Sequence, residues 1–134
     1  MRPYQLRMKR YAQWLFGVAS GANLAVAFCA LAARPAVEQA LELDPFEGTN
    51  LWFGAFAVAM IALFGVAYAL IARAPERHRT LIALLAAGKA LAFASALGLW
   101  LTEAIGPRLP LLLAGDGVFA LLFLDYLRRS ARAP

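Results

Sequence analysis

Four apolar runs, each about 20 residues long, occupy most of this 134-residue chain, at roughly 14–33, 51–72, 81–101 and 109–127. A helix rises 1.5 Å per residue, so about 20 residues cross a hydrocarbon layer about 30 Å thick. Each run is long enough to span, and little sequence remains for a separate soluble domain. Inside a bilayer the backbone must satisfy its own hydrogen bonds, which makes the spans helices. The alternating ten-residue segments of a β-barrel are absent. The expected fold is therefore all-α, a polytopic membrane protein built as an up-down four-helix bundle. It forms a single domain over residues 1–134, with helices over about 12–33, 51–72, 80–102 and 109–128.

Composition agrees. Hydrophobic residues make up 63% of the chain and charged residues 16%, against about 45–50% and about 25% in soluble domains. The net charge of +5 does not read as nucleic-acid binding, because the basic residues are not interleaved with aromatics on one face. They stand at the ends of the runs. Arg2, Arg7, Lys9 and Arg10 precede the first, Arg73, Arg77 and Arg79 join the second to the third, and Arg128, Arg129 and Arg132 follow the fourth. The opposite side has only Arg34 and Arg108. Cytoplasmic loops are enriched in Lys and Arg, so both termini and the 73–79 turn are expected in the cytoplasm. The first run resembles a signal peptide with a small-residue cleavage site at Ala30-Leu-Ala32. It is longer than the usual 7–15-residue apolar core and reads as a retained helix. No organelle-targeting segment is evident, and a bacterial inner membrane is the expected location.

The connection between the first two runs is the longest. Arg34-Pro35 stops the first helix. Val37, Ala40, Leu41 and Leu43 alternate with Glu38 and Glu42 as a short amphipathic segment over about 36–43. Asp44-Pro45 breaks that segment, and Thr49 or Asn50 is a candidate N-cap for the second span. The carboxylates of this loop follow no calcium-binding spacing and read as a solvated face, as do Glu103 and Arg108. Short connections are expected to make spans two and three, and spans three and four, antiparallel neighbours. Gly17 and Gly21, and Gly88, Ala92 and Ala96, form small-residue rows of the kind that let helices approach in lipid. Trp14, Trp52 and Trp100 lie near helix ends, where an aromatic belt belongs.

Two charges stand within the apolar runs. Lys89 is about 12–14 Å from the start of the third span and Asp116 about 10 Å from the start of the fourth. Because the spans run in opposite directions, the two backbones differ in depth by less than a lysine side chain. An unpaired charge near the bilayer centre costs about 2.5–3.5 kcal/mol or more, so an interhelical pair is expected. Gly115 and Gly117 flank Asp116 and leave either room for a ligand or space for close packing. Asn23 is a polar insertion in the first span and reads as a hydrogen bond between helices.

Cys29 and His78 are the chain's single cysteine and histidine, which leaves no disulfide, CxxC pair, thiolate metal site or histidine-built zinc site. No phosphate-binding glycine loop or nucleophile elbow occurs. A catalytic constellation is missing, so an enzyme is the less favoured class. No motif calls for a cofactor.

Leu51-Trp-Phe-Gly-Ala-Phe56 leading to Gly65-Val-Ala-Tyr68, with Gly88-Lys89 and Asp116-Gly117, resembles the small four-helix bacterial membrane proteins grouped as DoxX-like. The resemblance covers about residues 50–127. It implies an accessory membrane subunit in a quinone-linked redox system and assigns no catalytic role to any residue here.

Three functional readings follow. The first is an accessory or scaffold subunit of a membrane complex, in which Lys89 and Asp116 hold the bundle together. The second is a small transporter or channel with those two residues on a polar path. The third is a lipid- or quinone-binding enzyme subunit, with Trp52, Tyr68, Trp100 and Asn50 near the rim of an apolar pocket. Expected partners are the lipid bilayer and either a second copy of the chain or another subunit of a complex.

Overall fold

The computed structural model describes residues 3–131, and Arg2 and Arg132 lie outside them. Five α-helices follow one another: α1 (Pro3–Ala32), α2 (Arg34–Leu41), α3 (Thr49–Arg73), α4 (Arg79–Leu101) and α5 (Arg108–Ala131). A single 3-10 turn, Pro75–Arg77, joins α3 to α4. Four helices, α1, α3, α4 and α5, are long and apolar enough to cross a membrane.

Their outward faces are what a bilayer requires. Trp14, Phe28, Leu31, Leu91, Leu111 and Leu121 are each about 70% exposed or more. A soluble protein rarely leaves so much contiguous apolar surface bare. A lipid surrounding would satisfy it.

Of the two neighbour pairs expected from the short connections, spans three and four pair as expected and spans two and three do not. α1 lies along α3, and α4 along α5, while α3 makes little close backbone approach to α4 or α5. The bundle is thus two hairpins set side by side. Hydrophobicity gives no net drive for helix association in lipid, so packing and interhelical hydrogen bonds decide neighbours. The α1–α3 seam has both. Ser20 Oγ donates to the Gly65 carbonyl at 2.8 Å. Asn23 Nδ2 donates to the Ile61 carbonyl at 3.2 Å. Gly65 permits this approach, because a Cβ there would lie 2.8 Å from the Leu24 side chain and 3.3 Å from its backbone nitrogen. Gly17 and Gly21, the more conspicuous pair in the sequence, are exposed, and a Cβ added to either would meet nothing within 4 Å.

Burial divides the bundle along its length. Towards the termini, all four long helices contribute to one core of Leu15, Phe16, Tyr68, Ile71, Ile82, Leu85, Phe123 and Tyr126. The ring centroids of Phe16 and Phe123 stand 4.7 Å apart, and those of Tyr68 and Phe123 5.3 Å apart. The Arg79 guanidinium donates to the Ser130 hydroxyl and, at 3.2 Å, to the Leu127 carbonyl, joining α4 to the last turns of α5. Towards the other end the hairpins separate.

α2 covers that open end. Pro35 stands in its first turn, where a missing N–H costs nothing, so Pro35 begins this helix as well as ending α1. Glu42 closes α2 in the left-handed region at φ 56°. Carboxylates that read as solvated turn out to be tied. Glu38 accepts the Phe46 N–H at 3.1 Å and lies 3.5 Å from Arg34. Glu42 pairs with Arg108 at 3.1 Å. Arg108 also donates to the Gln39 and Ala40 carbonyls at the C-terminal end of α2, where the helix dipole favours a cation. α3 is preceded by Gly48 at φ 52°, with no side-chain cap bond. The capping expected of Thr49 or Asn50 is therefore absent, because the helix has already begun at Thr49.

Candidate functional site

The two intramembrane charges meet. Lys89 Nζ forms a short ion pair with Asp116 Oδ1, joining α4 to α5 within one hairpin. The same ammonium donates to Asn23 Oδ1 at 3.3 Å, reaching across to α1 in the other hairpin. It also lies 5.4 Å from the ring centroids of Tyr68 and Phe119, within the range of cation–π attraction. One lysine thus touches all four long helices. Its length is what permits this, since α1 and α4 do not lie close along their backbones.

Asn23 is bonded at both ends of its amide. The nitrogen serves Ile61 and the oxygen serves Lys89. This fixes which way the amide points and connects the α1–α3 seam to the ion pair. The two glycines flanking Asp116 divide the roles open to them. A Cβ on Gly117 would sit 3.0 Å from the Phe93 ring, so that glycine permits close α4–α5 packing. Gly115 has nothing within 4 Å and faces open space.

That space is a cavity of about 670 Å³ between the hairpins, within the range of small-molecule sites. Its walls are mainly apolar, with Phe53, Ala57, Ile61 and Phe64 from α3 opposite Leu112 and Phe119 from α5. The first four recur at helical spacing and form one face. Lys89, Asp116 and Asn23 stand at its inner end, and Asp44 and Asn50 line it near the α2 end. Leu41 and Phe46, from α2 and the loop after it, also line it. Lys89 is almost enclosed, at 3% side-chain exposure, whereas Asp116 is 27% exposed. Asp116 is thus the charge more open to the cavity.

Of the residues expected at a pocket rim, Asn50 lines this cavity and Trp52, Tyr68 and Trp100 do not. Trp52 is 61% exposed and stacks on Phe56 with centroids 5.4 Å apart. That is the neighbouring face of α3, turned outward. The α4 wall of the cavity ends at Ala92, two turns before Trp100. Tyr68 is one turn beyond Phe64 and belongs to the sealed core, where its hydroxyl has no partner among the described residues. Phe119 was missed by sequence reasoning, although it lies three residues after Asp116 and so on the same helical face. The contribution of Leu41 and Phe46 carries no signal in the sequence, because it depends on where α2 is strapped.

No group of three His, Cys, Asp or Glu among the described residues is placed to hold a metal ion. Comparison with protein-family models, curated proteins and solved structures finds no match for this chain. The function is argued from the site.

Proposed function

We propose that this multi-pass membrane protein binds one amphiphilic molecule between its two hairpins. The polar head would sit on Lys89, Asp116 and Asn23, and the apolar part would lie along the α3 and α5 walls. The observation that carries this is the position of the ion pair at the inner end of an apolar cavity. A pair serving only to join α4 and α5 has no need of that opening. Pockets with apolar walls and a few convergent polar groups are the usual form of small-molecule sites.

Gly88 supplies the test. It lines the cavity, and nothing lies within 4 Å of a Cβ built there. Gly88→Phe should therefore fill the space without forcing the helices apart. Lipid-like molecules retained by the purified protein in native mass spectrometry should fall about tenfold or more. Unfolding stability should change by less than about 1 kcal/mol. Undiminished retention in Gly88→Phe would mean that the cavity is not the binding site.

The scaffold reading has its own support, because Lys89 touches all four spans. It is compatible with binding, and both uses draw on the same pair. A transport path has less support. It would have to continue through the aromatic core around Phe16, Tyr68 and Phe123. The DoxX-like resemblance agrees with a membrane accessory role and adds no ligand contact.

We further infer that the ends bearing Arg7, Lys9, Arg10, Arg73, Arg77, Arg128 and Arg129 face the cytoplasm of a bacterial cell across its inner membrane. In a Cys29→Ser background, Glu47→Cys should react with a membrane-impermeant maleimide on intact cells, whereas Arg128→Cys should react only after lysis. The opposite pattern would reverse the orientation.

A further inference from the structure

The ligand chemistry can be narrowed, on the footing that the cavity binds an amphiphile. We infer that the occupant is electrically neutral and carries a hydroxyl group in its head, as a monoacylglycerol does. The Lys89 and Asp116 charges already cancel. An ionic head would therefore bring an uncompensated charge into a cavity with mainly apolar walls.

At the inner end of the cavity, away from Asp44 and Asn50, two groups remain for the head to contact. A carboxylate has two acceptor oxygens. In Asp116, Oδ1 is taken by Lys89, and the side chain is the more open of the pair. The Asn23 amide has two N–H donors, of which Ile61 takes one. The cavity thus offers one acceptor and one donor close together. A hydroxyl can donate to the first and accept from the second.

Anions are disfavoured twice, because Asp116 is the exposed member of the pair and Asp44 lines the cavity near the α2 end. A cationic head would meet Asp116, but it would compete with Lys89 and leave a net positive charge in an apolar wall.

The experiment measures retention of four lauroyl-chain probes by the intact protein in phosphatidylcholine nanodiscs, using native mass spectrometry. Monolaurin supplies the neutral hydroxyl head, and methyl laurate a neutral head without a hydroxyl. Lauryl phosphate is the anion and laurylamine the cation. Monolaurin should be retained about tenfold or more above either ion, and also above methyl laurate. Asp116→Asn should move the preference to lauryl phosphate, because Lys89 is then uncancelled.

Equal or better retention of either ion by the wild-type protein overturns the neutral assignment and leaves the amphiphile site standing. Equal retention of methyl laurate overturns the hydroxyl. If no probe is retained, the amphiphile site itself fails. The wild-type series decides the question even if Asp116→Asn does not fold.

Discussion

Lys89→Met is expected to destabilise the protein by about 2–3 kcal/mol against unfolding in mixed micelles. The ammonium serves an Asp116 oxygen, the Asn23 amide oxygen and two aromatic faces. Methionine fills much the same volume and serves none of them. Breaking a buried pair by removing one partner costs about 3–5 kcal/mol, because the other charge is left behind. Asp116 is partly open to the cavity, which places the expected loss below that range.

The second substitution makes the result diagnostic. Lys89→Met combined with Asp116→Leu removes both charges and should recover most of the lost stability, since apolar replacements of a buried pair are often neutral or better. It should not recover ligand retention, because the polar head has lost its site. A folded double variant that still retains monolaurin would count against the site. A single Lys89→Met variant as stable as the wild type would show that the pair contributes nothing to holding the bundle.

Gly65→Leu should cost about 2–4 kcal/mol and separate the first hairpin. Its Cβ would overlap Leu24, and overpacking of this kind costs about 1–3 kcal/mol. Pushing α1 from α3 would also break the Ser20 and Asn23 bonds to the facing backbone, each contributing about 0.6 kcal/mol. Gly21→Leu is the control. It meets open space, and leucine is the better helix former by about 0.8 kcal/mol, so stability should hold or rise slightly. Chemical denaturation of the two variants side by side checks the contrast. Equal losses would mean that Gly65 is not the closest point of the seam.

These glycines show where sequence reasoning stopped. Gly17 and Gly21 stand four residues apart and look like a contact motif, yet they face away from every described helix. Gly65, with no such spacing partner, makes the close approach. Spacing marks which residues share a face, but it does not tell which face meets a neighbour. The aromatics behave likewise. Trp52 and Tyr68 lie on the same helix as the cavity wall, but one turns outward and the other into the sealed core. The rotation of α3 about its axis decides both. Glu42 and Arg108 are far apart in the chain and read as solvated until α2 folds back over the bundle end.

The spans were legible because the bilayer imposes a length and a polarity that any chain crossing it must satisfy residue by residue. The meeting of Lys89 with Asp116 was legible for a related reason: two isolated charges at similar depth in an apolar medium have one inexpensive remedy. Neighbour choice was legible for α4 and α5 alone, and the pairing of α1 with α3 was not. Lipid is as apolar as the helices, so burial gives no signal for which spans associate, and a few hydrogen bonds and one close glycine approach settle it. That pairing into two hairpins, joined by a core at one end and parted at the other, is what opens a cavity beside the charges. Only the three-dimensional arrangement decides it, because the cavity belongs to the gap between helices and to no single one of them.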